Sequence, residues 1–414
     1  MKPTLHPATL TIPDRMAPSG VPVRAGSPAA ILAIVPHLLG FMPASSVVVI
    51  GTGPPAGTVK ITLRYDLPDP ADDGLAADIA AHAFAVIGSQ RLTAAIAVGY
   101  GPAGRVDSLA AAFRAEAGSS EVNLLEFLRV DDGRYWSYTC ASQACCPAAG
   151  TPFDPAGAAP GAALAGNGAK VLADRAAVAA SIAPLAGIAA ESMRQATRRA
   201  ERHVTQVLAK VRRSARLGAA RHMIATEGLA AVASMIATYR GGGRYLSDYQ
   251  LAWLTVALKD LRVRDDAWAR MDPTYHDAHL RMWTDVVRRA QPGHVAAPAA
   301  LLAFVAWQAG NGALANVALD RALADQPGYS MAELLRQVIS AGAPPSMARL
   351  PMTPEEVAAC YDDDDDEDGD YDEYDKYDAY EADEEDEYDE YELQDGPCPV
   401  CDVGPGHSPD DQAR

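Results

Sequence analysis

Apolar residues recur along this chain with two different periods, and the switch between them divides it. Ser46 is followed by Val47-Val48-Val49-Ile50, a continuous β-branched run of the kind buried on both faces of a sheet. Residues 59–65 alternate Val, Ile, Leu and Tyr with Lys, Thr and Arg, which predicts a strand with one wet face. Further strands are predicted at 94–98 and 124–130, with helices at 75–88 and 106–117 between them. Asp131-Asp132-Gly133 ahead of residues 134–139 predicts a hairpin. Upstream, Ser27-Pro28 supplies an N-cap and a first helical position. That helix would carry Ile31, Leu32, Val35 and Leu38 inward, and Pro36 predicts a kink or an early end. The alternation of strands and helices predicts an α/β domain over residues 27–147. Residues 1–26, rich in Pro and without a period, predict a lead-in lacking fixed structure.

An Ala/Gly/Pro run over 148–169 predicts a connector, and beyond it the period becomes helical. Met193, Ala196, Ala200, Val204, Val207, Val211 and Ala215 share one face of a helix expected to run over 193–221. More helices are predicted at 228–239, 249–263, 275–289 and 331–341, giving an all-α domain over 170–356. Its most regular part is a helix–turn–helix at 298–327. Leu302, Ala303, Ala306, Ala315, Leu319, Ala322 and Pro327 fall at tetratricopeptide-like spacing, with Gly310 and Gly312 flanking Asn311 at the turn. Small Ala side chains let two such helices approach, and neighbours must complete the core.

Composition changes this picture at the C-terminus. The chain of 414 residues carries a formal charge of −19, but residues 361–395 hold 22 Asp and Glu against one Lys. The remaining 32 acids face 34 bases, so the acidity belongs to a tail, 357–414, which predicts disorder. No basic start followed by a long apolar run precedes residue 14, and no apolar stretch is long enough for a membrane span. The expectation is a cytoplasmic protein without a membrane partner, whose six Cys are free thiols, metal ligands or redox groups.

Cys140, Cys145 and Cys146 form a C-x4-C-C cluster after the predicted hairpin. Three roles stand open for it: packing as small hydrophobes, holding zinc with a fourth ligand from elsewhere, or redox chemistry with Arg134 lowering a thiol pKa. Cys398 and Cys401, with His407, make half of a zinc ribbon. Zinc is therefore the candidate cofactor. Gly51-Thr52-Gly53-Pro54-Pro55-Ala56 matches a dinucleotide-binding pattern in letters only. Two prolines remove donors where a phosphate needs them, so a turn is predicted.

Asp265, Asp266, His276, His279 and Asp285 could form a carboxylate–imidazole site. Yet Asp260–Arg264, Arg262–Asp266, Asp266–Arg270, Asp277–Arg281, Arg281–Asp285 and Asp285–Arg289 are each four apart, which predicts solvated ion-pair ladders. Between Arg194 and Arg221 nine Lys/Arg face a single acid, Glu201. Arg198, Arg199, Arg202, Lys210, Arg212, Arg213 and Arg216 form the candidate surface for nucleic acid or another anionic partner, without interleaved aromatics for base stacking.

Several signatures look familiar together. They are Ser27-Pro28 with Pro36-His37-Leu38-Leu39-Gly40-Phe41, Arg134-Tyr135-Trp136-Ser137-Tyr138 with the three cysteines, Arg262-Val263-Arg264-Asp265-Asp266-Ala267-Trp268, and Gly312-Ala313-Leu314-Ala315. The chain resembles domain-of-unknown-function family 4192 over roughly residues 27–356. The resemblance implies an intracellular, mainly actinobacterial protein and carries no implied activity. The expected function is a non-enzymatic interaction or adaptor module with a protein partner. The alternatives are an enzyme or small-molecule sensor built on the α/β domain, and an anionic-polymer binder autoinhibited by the acidic tail.

Overall fold

The computed structural model describes residues 10–12, 23–55, 57–69, 72–154, 161, 171–212, 217–245, 247–347 and 352–362. Its first half is an eight-stranded mixed sheet. The strands are β1 (Leu10–Ile12), β2 (Val23–Ala25), β3 (Ser46–Gly53), β4 (Thr58–Asp66), β5 (Ala94–Tyr100), β6 (Asn123–Asp131), β7 (Arg134–Ser137) and β8 (Thr151–Pro152), in the spatial order β2-β1-β4-β3-β5-β6-β7-β8. Only β1/β4 and β5/β6 are parallel. The helices here are α1 (Pro28–Leu39), α2 (Asp73–Ser89) and α3 (Ala103–Ser119).

Strand β3 explains the layering. Its residues are buried throughout, so alternate side chains enter two different cores. Val47 and Val49 join Phe84 of α2 and Phe113 of α3, whose rings continue edge-to-face into Phe127. Val48 and Ile50 join Ile31 and Leu32 of α1 on the opposite side. In α1 the Ser27 hydroxyl accepts from the Ala30 amide, and the helix passes through Pro36 to end at Gly40, whose φ of 79° suits glycine. Pro36 therefore does not end it early. The lead-in also differs from expectation: Leu10 and Ala25 are fully buried in the α1 core because β1 and β2 pair with each other.

The second half is helical: α4 (Arg175–Ser181), α5 (Gly187–Arg212), α6 (Leu217–Arg240), α7 (Asp248–Ala257), α8 (Leu261–Ala269), α9 (His276–Arg289), α10 (Ala296–Gln308), α11 (Gly312–Asp325), α12 (Ser330–Ser340) and α13 (Pro354–Asp362). Helix α10 is buried from Ala296 to Trp307 and forms the axis of this core, with α11 joined to it across the turn that Asn311 caps. Its own first turn has no side-chain cap. Asp325, at the end of α11, accepts instead from the amides of Gly293, Val295 and Ala296 at 2.7, 2.8 and 3.1 Å. The predicted single helix over 249–263 is divided, while residues 213–216 of the one predicted over 193–221 lie outside the described residues. Asp260 turns its carboxylate onto the Arg262 and Val263 amides and starts α8 afresh.

The two halves touch at defined points. Phe41 belongs to the helical core, and Leu172 exchanges backbone hydrogen bonds with Gly40 and Met42. Gln90, after α2, donates to the Gly342 carbonyl beyond α12 at 2.8 Å. Of the disordered acidic tail expected over 357–414, residues 357–362 instead belong to α13, where Val357 is buried against its neighbours, and the rest lies outside the described residues. No helix among the described residues is long and apolar enough to cross a membrane.

Candidate metal centre

The predicted hairpin is present, with Asp131 paired to Arg134 and positive φ at Asp132 (45°) and Gly133 (68°), as a two-residue turn matching strand twist requires. The chain leaving β7 then folds back as a loop to β8, and three groups fix it. The Trp136 indole donates to the Ala148 carbonyl at 3.0 Å. The Arg134 guanidinium donates to the carbonyls of Ala149 and Gly150 at 3.2 and 2.9 Å. The Glu126 carboxylate on β6 accepts from the Ser137 and Thr139 hydroxyls, and Ser137 in turn accepts from the Cys140 amide. Gly150 sits at φ 78°, where an added Cβ would come within 2.5 Å of the Trp136 ring.

Held in this way, the sulfurs of Cys140, Cys145 and Cys146 converge to within 4.8 Å of one another. Cys145 Sγ lies 3.0 Å from Cys140 Sγ and 3.8 Å from Cys146 Sγ. Two thiolates on a tetrahedral zinc, each at about 2.3 Å, stand roughly 3.8 Å apart. The second spacing fits that arrangement, and the first falls between it and a disulfide bond of about 2.05 Å. Cys145 is exposed and the other two are half-buried, so they do not act as core hydrophobes. Hydrogen bonds donated by Cys140 and then by the Ser142 side chain hold the Cys145 thiol below its ordinary pKa. Burial, followed by the neighbouring sulfurs, pushes Cys146 up to about 12. Under the redox role Arg134 would lower a thiol pKa, but its guanidinium is committed to the loop carbonyls. The donor set suits a thiophilic cation, and the three thiols leave the fourth vertex of a tetrahedron open.

The model of a family described as a domain of unknown function, DUF4192, matches residues 28–346. The chain belongs to this family. No curated protein and no solved structure matches it. In this DUF4192 chain the match starts at the first residue of α1 and takes in both the thiol loop and the helical core.

The other predicted sites are not assembled as expected. Asp266 grips Arg270 with both oxygens at 2.6 and 2.8 Å, Asp285 accepts from Tyr239 and Arg289, and Asp265 holds Arg264 and Tyr361. These carboxylates and His276 and His279 do not converge on one point. Of the predicted pairs, Asp266–Arg270 and Asp285–Arg289 form, and Asp266 is not solvated but 4% exposed, because α8 turns it into the core, whereas Asp277 and Arg281 are exposed. Arg198, Arg199, Arg202 and Lys210 are exposed along α5, with Arg199 stacked 4.7 Å over Tyr249 of α7. The side chain of Arg212, and Arg213, Arg216, Cys398, Cys401 and His407, lie outside the described residues.

Gly51 and Gly53 lie in β3 ahead of a hairpin turn, as the prolines predict. Sequence reasoning missed a better match, Gly99-Tyr100-Gly101-Pro102-Ala103-Gly104, which joins β5 to α3 within a parallel β–α–β unit. The signal was a strand, a glycine pattern and a helix in the right order. Its space is nevertheless taken by the chain itself. A Cβ on Gly99 would meet Val106 at 2.6 Å, and one on Gly101 would meet Leu67 at 2.7 Å. Arg105 also clasps the Leu67 and Pro68 carbonyls across the same turn. The glycines here serve helix–strand packing.

Proposed function

We propose that this protein is a binding protein whose thiol loop holds one thiophilic divalent cation, zinc foremost, and whose helical block receives a protein partner. The convergence of three sulfurs on a loop braced by Trp136, Arg134 and Glu126 carries the metal reading. Bound there, zinc would take Cys140, Cys145 and Cys146 as thiolates. Structural zinc sites close with four protein ligands, whereas three leave a position for an outside donor. That open vertex, on an exposed loop, suits a ligand contributed from outside the loop.

The test is metal content and native mass of the full chain purified without chelator. About one zinc per chain is expected, lost in the C140S/C145S/C146S variant. Metal-free protein that also fails to take zinc from a chromophoric chelator overturns the reading.

A second reading concerns the helical block, and the α10–α11 hairpin supports it. Ala303, Ala306, Ala315 and Ala322 are fully buried there, as close helix approach in a tetratricopeptide-like unit requires. Such units present faces to partner segments. A partner recovered by cross-linking should bind the purified chain directly and lose affinity on substitution of exposed α11 or α12 residues. Failure of direct binding removes this reading without touching the metal site.

A further inference from the structure

A second concavity lies away from the thiols, where the end of α6 meets the start of α9. It is open to solvent, with room of about 310 Å³, and is lined by Arg240, Thr274, Tyr275, His276, Asp277 and Arg281, among others. We propose that it binds the phosphate group of a small molecule or free phosphate.

The arrangement of Arg240 is the main ground. One guanidinium nitrogen donates to the Arg270 carbonyl at 3.0 Å and to His279 Nε2 at 3.2 Å, and the group lies 4.5 Å over the Tyr275 ring. Its Nε is buried without a hydrogen-bond partner. His279 is 2% exposed, and burial followed by the charge of Arg240 lowers its pKa to about 4. The ring is therefore neutral at pH 7 and accepts from Arg240 without cancelling its charge. Arg281 reaches the same concavity from α9 and donates only to the Tyr239 carbonyl, at 3.4 Å. Neither guanidinium is ion-paired with a carboxylate among the described residues.

Two further donors point the same way. His276 Nε2 is buried without a partner, and α9 begins at Tyr275 with no side-chain cap on its first amides. The acids nearby are Asp277 on the rim and Asp272, whose carboxylate accepts from the Thr274 amide and also lies within the field of Arg240 without a direct ion pair. One held guanidinium, a second on the rim and the unpartnered His276 nitrogen match the oxygens of a phosphate better than a cation or an apolar group. The volume exceeds what one phosphate fills and leaves room for an organic body.

The probe is inorganic phosphate, titrated into the full chain at constant ionic strength with the melting temperature as readout. A saturable rise is expected, half-maximal at about 1 mM for a few charge-assisted bonds. R281Q, at the rim, should weaken it at least about tenfold, as should R240Q if it folds, while R198Q on α5 should not change it. Glucose 6-phosphate in place of phosphate identifies the source. Tighter binding marks an organic phosphate ester, equal binding marks free phosphate, and either upholds the site. A response no larger than that to chloride, or one that survives R281Q, overturns it.

Discussion

Replacing Gly150 with Ala attacks the thiol loop without touching a sulfur. Two costs arise at that position. An L residue at φ 78° costs about 1–2 kcal/mol. The new Cβ would also stand 2.5 Å from the Trp136 ring, an overpacking that costs about 1–3 kcal/mol more. Gly133, in the β6–β7 turn, separates the two effects: its φ is 68°, and a Cβ there meets nothing within 4 Å. G133A should therefore lose about 1–2 kcal/mol and G150A about 2–5 kcal/mol in urea unfolding of the full chain. Because Trp136 holds Ala148 and Arg134 holds Gly150, the displaced loop should also lose its sulfur geometry. Zinc affinity measured by chelator competition should fall in G150A and hold in G133A. Equal behaviour of the two variants in both assays would refute the claim that Trp136 packing sets the loop.

Asp325→Ala should cost about 2 kcal/mol, read from the urea midpoint, since three amides at the start of α10 lose their acceptor. An effect below 0.5 kcal/mol would mean that water replaces the carboxylate freely. His279 gives stability a pH dependence. Its native pKa of about 4 lies below the unfolded value of 6.5, so the unfolded chain binds the proton first and stability is lost as pH falls from about 6.5 to 4. Up to about 3 kcal/mol is at stake, and H279Q should flatten the acid limb of the stability profile. Brief alkylation at neutral pH, mapped by peptide mass, should label Cys145 before Cys146, because one thiol is held below and the other well above its ordinary pKa. The reverse order would contradict the hydrogen-bond assignment around Cys145.

The sheet was legible because its strands obey single rules: Val47–Ile50 is apolar on both faces, and Asp132-Gly133 suits only a tight turn. Helix boundaries were less so. Gly228 was read as a helix start but lies inside α6, where a Cβ would come 2.7 Å from Val263. A glycine chosen for close packing looks the same in sequence as one chosen to break a helix. The thiols could be found because they are neighbours in the chain. Glu126, which braces their loop, sits in an alternating strand and carries no local mark. Arg281 was assigned to a charge ladder by spacing alone, while its counterpart Arg240 comes from a helix far away in sequence. Convergence of that kind depends on helix docking, which spacing does not encode.

The strands at the two margins of the sheet have a consequence for recruitment. β2 spans three residues, and β8 spans two, one of them Pro152, which has no amide hydrogen to offer. At these two outermost strands a foreign peptide finds little ladder to copy among the described residues, whereas β4, joined to β1 only at Thr11–Thr58, offers a longer edge. An extended segment of another protein therefore gains little by lying along β2 or β8, and more by lying along β4.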